Sequence, residues 1–469
     1  MGDLARISPL GNAAPARQHA GMAASDAPPD PSDSLPLKPL DLRALAAAVR
    51  AGASPAPGSV LAARGPSVRV SLPSARLGAR LRLGSPEDGV IAEIVAFDGP
   101  EAVAMPLTPA DGLVSGAPAV LLEDAASLHV SEALLGRVID GLGRPVDGLS
   151  PLPSVRDWPL RRPAPDPLTR RPVDRPLPLG VRVIDALCTV GAGQRLALQA
   201  GPGAGKSTLL SQVASRAAAD VVVLALIGER GREAGELLAK LSAESRARTV
   251  VVLSRADDPP LLQVRAAEVA TAIAERFRSE GRDVLLLLDS LTRVARAIRS
   301  VGVSAGEPAT RRGFPPSLST VLSALLERAG NDADGTLTAL YTVLVEGDDS
   351  DDPVAEEARA LLDGHLALDA GLAGAGRFPA VAVGRSVSRC MAQIADPAHQ
   401  TAAFTLRRWL AAADARRDLL AIGAYQRGAE PDVDAFQSRR GPIEAFLRQS
   451  PAEVADYAET VRRLCALVR

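Results

Sequence analysis

The chain has 469 residues, of which 47% are hydrophobic and 23% charged, for a formal charge of −2; that length holds two or three domains around large buried cores. Near-balanced charge gives no general attraction to nucleic acid, so a free nucleotide is expected rather than a polynucleotide. Cys188, Cys390 and Cys465 stand far apart, which excludes a disulfide framework and a cysteine metal site, and with no apolar run near ~18 residues and no signal-peptide pattern the expectation is a cytoplasmic protein.

Residues 1–38 are dominated by Ala, Pro, Gly, Ser and Asp, the composition of a disordered tail. The stretch 40–50 (LDLRALAAAVR) has helical spacing and stops before Gly52, which predicts a short, locally packed helix. Short β-prone runs then follow at 68–72, 79–83, 89–97, 102–105 and 117–122, with Asp98-Gly99-Pro100 as a turn between two of them. Strands of that length and spacing predict a small barrel or sandwich. Residues 131–180 are rich in Pro and Gly, above all at 163–178, and read as an extended segment laid over a surface.

The densest signal is Gly201-Pro202-Gly203-Ala204-Gly205-Lys206-Ser207-Thr208, between an apolar strand-like run and a helix-like one. Small residues let several backbone N–H groups face one concavity, and the following helix adds its positive end, so this is a phosphate-binding P-loop. Lys206 is placed to reach the β- and γ-phosphates of a nucleotide and Ser207 to ligate Mg²⁺.

After the P-loop, strand and helix patterns alternate: strands at 221–227, 249–254, 283–289 and 337–345, helices at 232–245, 261–279, 317–328 and 354–362. This is the pattern of an α/β core with a parallel sheet. Asp289 closes an apolar strand, where an acid can hold Mg²⁺ or its waters from a rigid element. Glu229, at the end of the strand after the P-loop helix and inside Gly228-Glu229-Arg230-Gly231-Arg232-Glu233, can polarise the water that attacks the γ-phosphate. Alone, either acid could be a solvated strand-end charge; beside a P-loop the pair reads as catalytic machinery. From 401 onward the chain is helical, at 401–420, 433–448 and 451–468. Ser450-Pro451-Ala452-Glu453 has the form of a capping box for the last helix.

The ordered motifs GPGAGKSTLL, LIGERGRE, LLLLDSLTRVARA, YTVLVEGDDSDDPVAEEARALLDGH, RFPAVAVGRSVSRCM and LLAIGAYQRG resemble the type III protein-secretion ATPases, a group with injectisome and flagellar-export branches related to the catalytic subunit of rotary ATP synthases. The resemblance covers roughly residues 65–469. It implies a RecA-like P-loop core (131–395) carrying an N-terminal helix and small β-barrel for oligomerisation (39–130) and a C-terminal helical domain (396–469). It also implies a homohexameric, Mg²⁺-dependent ATPase at the cytoplasmic face of the inner membrane, where it drives export, unfolds substrates and releases their chaperones. Its partners would be stalk and regulator proteins, secreted substrates and chaperones, with peripheral membrane contact and no nucleic acid.

Carried over by motif, the phosphates fall to residues 201–208, water activation to Glu229, and the metal to Ser207 and Asp289. Arg230 and Glu233 become partners of that constellation, Glu233 on the metal side. Arg389, in Ser386-Val387-Ser388-Arg389, matches an arginine finger that reaches the neighbouring subunit's site. Phe378 stands where the family has a Tyr stacked on adenine and keeps the π face. The chain departs from the family in Ala380-Val381-Ala382-Val383-Gly384-Arg385: at Ala382 an acid is lost, and at Arg385 a base is gained beside the finger. A flagellar export ATPase is the nearest alternative reading. More distant ones are a hexameric RNA translocase, disfavoured because Phe97 is the single aromatic residue in the strand-like runs, and a non-catalytic nucleotide-binding subunit, disfavoured by the acid at Glu229.

Overall fold

The computed structural model describes residues 58–73, 75–123, 127–152, 157–345 and 352–469. The tail expected over 1–38 and the helix expected over 40–50 lie outside them. The described residues belong to one compact unit.

Six antiparallel strands open it: β1 (Gly58–Arg64), β2 (Ser67–Ser71), β3 (Arg80–Leu83), β4 (Val90–Asp98), β5 (Glu101–Pro106) and β6 (Pro118–Glu123). They close into a barrel in the order β1-β2-β5-β4-β3-β6. Alternation drives the closure: Val68 and Val70 on β2, and Leu81 and Leu83 on β3, point inward and are buried, while their neighbours face out, and closing the sheet leaves no edge. The barrel expected from the sequence is therefore present, with one strand more than was legible. β1 reads GSVLAAR, and its small residues give no period-2 signal.

Three short strands follow, β7 (Ser127–His129), β8 (Val138–Asp140) and β9 (Asp157–Pro159); β7 pairs with β9. The extended segment expected over 131–180 needs correction at β8, which joins the core sheet parallel to the strand Thr249–Arg255. At 163–178 there is no helix or named strand, only an isolated bridge from Pro176 to Gly191.

The core sheet adds β10 (Arg195–Ala200), β11 (Val221–Glu229), β12 (Thr249–Arg255), β13 (Asp283–Asp289), β14 (Thr336–Leu344), β15 (Gly364–Ala367) and β16 (Val387–Ser388). Its order is β16-β15-β10-β14-β13-β11-β12-β8, parallel except for β16 against β15. β11 is buried at all nine positions, as a strand covered on both faces must be. β10 and β11 are consecutive in sequence but separated in the sheet by β14 and β13. A crevice therefore opens beyond the carboxyl ends of these strands, the usual place for a ligand in an open α/β sheet.

The helices Pro260–Arg278, Leu291–Ser304 and Ser317–Leu326 cover one face of the sheet. On the other face, with Lys206–Arg216, sit helices of the C-terminal region, Pro397–Ala415, Arg440–Leu447 and Tyr457–Val468. Three long helices expected from the sequence are each broken. The one at 232–245 divides into Gly231–Ala239 and Ala243–Ala247, where Ser242 caps the second piece by accepting the Ser245 N–H. The one at 401–420 ends at Ala415 and resumes as Arg417–Ala421, and the one at 433–448 divides at Arg439. The last helix starts at Tyr457 rather than at 451, capped by Asp456. Glu453 is engaged instead by Arg182, whose guanidinium is 4% exposed. Among the described residues no helix is long and apolar enough to cross a membrane.

Candidate active site

The turn from β10 into the helix Lys206–Arg216 is built on glycines that no other residue replaces without strain. Gly203 and Gly205 sit at φ of +75° and +85°, left-handed values at which a Cβ is costly. A Cβ on Gly205 would also stand 3.5 Å from the Phe378 ring. Ala204, between them, is buried. The loop's backbone and the positive end of the helix thus frame a cavity of about 730 Å³, lined by the P-loop together with Glu229, Arg230, Glu233, Arg293 and Arg296. Ser207 is exposed on that wall.

Behind the loop, charges converge from two strand ends and the first turns of two helices. Lys206 forms an ion pair with Asp289, and its Nζ lies 3.5 Å from Glu229 Oε1. Asp289 also accepts the Thr342 hydroxyl at 2.6 Å. Arg293 Nε is 3.3 Å from Glu229 Oε1. Both carboxylates are almost fully buried. Burial pushes the Glu229 carboxyl above its ordinary value, and the nearby Asp289 charge adds to this, while Lys206 and Arg293 oppose it. A raised carboxyl is a stronger base once ionised, the direction that water activation needs. Glu233, in the first turn of the helix Gly231–Ala239, adds to the rise. Arg230 lies on the rim with a side chain 79% exposed, 3.9 Å from Glu233.

Of the oxygens expected to hold a cation, the Ser207 hydroxyl and the Glu233 carboxylate line the cavity and the Asp289 carboxylate lies behind Lys206; all are hard donors without sulfur or imidazole. Among the described residues no group of three or more His, Cys, Asp or Glu side chains could cage a metal. That donor set fits Mg²⁺, which keeps several waters and takes one or two protein oxygens plus phosphates.

A second, smaller cavity of about 220 Å³ shares Ala204, Gly205 and Thr208 with the first and is closed by Phe378, Pro379, Gln449 and Pro451. Phe378 is 42% exposed, so its face is free to receive a flat ring beside the phosphate loop. Arg389 stands apart from both cavities. It is exposed, and its guanidinium has one long contact, 3.4 Å to the Arg359 carbonyl.

The sequence motifs thus locate Lys206, Ser207, Glu229, Asp289 and Glu233 in or directly behind one cavity, Phe378 beside it and Arg389 away from it. Arg293, Arg296 and Thr342 were missed. Arg293 lies four residues after Asp289, in the first turn of the helix Leu291–Ser304, capped by Ser290. A short tether to the acid was its only sequence signal.

Residues 180–388 match the ATP synthase alpha/beta family, nucleotide-binding domain, and residues 395–466 match the T3SS EscN ATPase C-terminal domain. The chain is 44% identical over 407 residues to the Type 3 secretion system ATPase of Sinorhizobium fredii, covering 86% of this chain and 90% of that one. It is also 44% identical to the Flagellum-specific ATP synthase of Pseudomonas aeruginosa, covering 81% and 85%. Among solved structures, the assembled ATPase EscN of enteropathogenic E. coli superposes with a TM-score of 0.84 at 41% identity, over 88% of this chain and all of that one. With barrel, P-loop crevice and C-terminal helices matched along its described length, the chain belongs to the family of type 3 secretion ATPases, nucleotide-hydrolysing relatives of the ATP synthase alpha and beta subunits.

Proposed function

We propose that the chain hydrolyses ATP with Mg²⁺ as a homohexameric ring and so energises protein export through a type III secretion system, releasing chaperones and unfolding substrates. Three regions divide the work: 39–130 for ring contacts, 131–395 for hydrolysis, and 396–469 facing the export apparatus at the cytoplasmic side of the inner membrane. The assembled EscN structures, one in complex with its central stalk EscO, support the ring and a stalk partner.

The observation that carries the reading is the convergence of Lys206, Glu229 and Asp289 beside the P-loop cavity. Lys206 exchanges its carboxylate partner for the β- and γ-phosphates, the backbone of 201–208 and the Thr208 side hold the phosphate chain, and Phe378 stacks on the base. Ser207 and Asp289, with Glu233 nearby, would hold Mg²⁺, which would neutralise charge on the phosphates. Glu229, steadied by Arg293, orients the attacking water and receives its proton. Arg230 stays on the rim as a partner of Glu233. Arg389 is lent to the adjacent subunit, where a finger is worth roughly 10³ to 10⁵ in rate. The flagellar export branch is the second reading, supported by the equal identity to a flagellar relative.

The test is ATP turnover per subunit against protein concentration. Specific activity is expected to climb with concentration in the unaltered chain and to stay near baseline in Arg389→Ala and in Glu229→Gln. Turnover that is independent of concentration and survives loss of Arg389 would mean that each chain holds a complete site.

A further inference from the structure

The cavity of about 220 Å³ beside the phosphate loop has a rigid wall and one idle polar group. Three polar side chains line it, Thr208, Gln212 and Gln449. Gln449 is already committed. Its Oε1 accepts the Arg182 N–H at 2.7 Å, and its NH₂ donates to the carbonyls of Gly180 and Glu453, both at 3.0 Å, so it has no proton left to give. Its backbone N–H donates to the Phe378 carbonyl at 2.8 Å, and Arg216 holds the Pro451 carbonyl. The wall made by Phe378, Gln449 and Pro451 is therefore fixed before anything binds.

Gln212 is different. It stands on the helix Lys206–Arg216 four residues after Thr208, so the two share a face, and Gln212 lies one turn, ~6 Å, farther from the phosphate end. Only 7% of it is exposed, yet among the described residues its amide makes no hydrogen bond. Nor is that amide sealed in protein, so the small area it keeps opens on the cavity. A buried amide with nothing to bind is rare in a folded protein unless a ligand or water completes it. With the phosphates at the loop and the ring against Phe378, the edge of the base is the group that comes within reach.

We propose that Gln212 is the residue that reads the base: its Oε1 accepts from the 6-amino group of adenine while its NH₂ donates to N7. This deepens the nucleotide reading above and rests on it. The pairing is selective. Adenine presents a donor beside an acceptor on that edge, which one amide matches; guanine presents two acceptors, O6 and N7, and leaves the amide oxygen facing a lone pair. Phe378 adds contact area but no choice among bases, since every base has a π face. The choice falls to the amide.

The test is equilibrium binding of ADP, GDP and 7-deaza-ADP to the full chain and to Gln212→Met, read by calorimetry. Met keeps the length and helix preference of Gln and removes both polar atoms. The unaltered chain is expected to bind ADP about tenfold more tightly than GDP, with 7-deaza-ADP between them. In Gln212→Met the three should bind alike, with ADP brought down to the level of GDP. For ATP hydrolysis by the same variant, KM should rise about tenfold while kcat and the thermal midpoint stay unchanged, because the base contact is the same in the ground and transition states. A preference for ADP that survives in Gln212→Met would overturn the inference, as would equal binding of the three by the unaltered chain or a loss confined to kcat; the amide is then hydrated and its role structural. If the unaltered chain binds none of the three, the nucleotide reading itself fails, and the inference falls with it.

Discussion

Glu229 and Asp185 are both buried carboxyls pushed upward, but they are built for different ends. Glu229 is surrounded by charge, with Lys206, Arg293 and Asp289 in reach, and it faces a cavity. Asp185 is fully buried in the helix Arg182–Leu187, and its oxygens accept the N–H groups of Leu179 and Gly180 at 2.8 and 2.9 Å. Burial outweighs those hydrogen bonds and lifts its pKa to about 7. The unfolded chain releases this proton near pH ~4. Between about pH 4 and pH 7 the folded state therefore holds a proton that the unfolded state lacks, so this residue's contribution to stability falls as pH rises and is flat above about 7. Asp185→Asn should be less stable than wild type by ~1–3 kcal/mol at pH 4.5, because one backbone N–H then faces an amide NH₂. Its deficit should shrink by ~1.4 kcal/mol per pH unit, so it closes within about one to two units and the variant matches or exceeds wild type by neutrality. Urea denaturation at pH 4.5, 5.5 and 7 checks this; a deficit that stays constant with pH means that the carboxyl is ionised throughout.

At the scale of elements, legibility followed how far each segment's local pattern agreed with its tertiary use. β13 was readable to the residue, because an unbroken apolar run closed by Asp289 fits nothing except a covered strand. β8 was not, since three residues amid Pro and Gly become a strand only through their pairing with β12. The P-loop, Glu229 and Asp289 were legible because their spacing is set by chain connectivity. Thr342 was not, because the pairing of β14 with β13 brings it in, and Arg293 was not, because its helix pattern alone does not say that it turns back to Glu229. The 450–456 stretch is the clearest conflict. Ser450 to Glu453 satisfies a capping pattern, yet Gln449 donates its amide to the Glu453 carbonyl at 3.0 Å, Arg216 binds the Pro451 carbonyl, and Pro451 walls the cavity beside Phe378. The helix waits for Asp456, whose carboxylate accepts the Glu459 N–H at 2.8 Å. Asp456→Ala should therefore cost ~1 kcal/mol, and Ser450→Ala a few tenths at most. Equilibrium unfolding of the two variants decides it: a larger loss from Ser450→Ala would restore the earlier helix start.

Across the whole molecule, the barrel and the nucleotide core meet over a small buried cluster of charge. Arg265, in the helix Pro260–Arg278, has a side chain 1% exposed and donates from Nε to Glu93 on β4 at 2.8 Å. It also pairs with Glu268, while Arg161 reaches both acids from the solvent side, at 3.7 and 3.3 Å. Two bases and two acids leave the cluster neutral, so loss of either deeply buried member, Glu93 or Arg265, unbalances charge where water cannot follow. Glu93→Gln should destabilise the protein by ~1–3 kcal/mol, because the buried Arg265 guanidinium then keeps only Glu268 as counter-charge. Replacing both partners, Glu93→Leu with Arg265→Met, removes one charge of each sign and leaves Arg161 with Glu268, so most of that loss should be recovered. Urea unfolding of the single and double variants, followed by the same optical signal, gives the comparison. A double variant as unstable as Glu93→Gln would mean that hydrogen-bond geometry at the seam, rather than charge balance, holds the barrel to the core. Recovery would instead identify the seam as a place where charge fixes how the two parts register, at little net gain in stability. The barrel would then keep its orientation while the nucleotide crevice beyond the strand ends goes through its cycle.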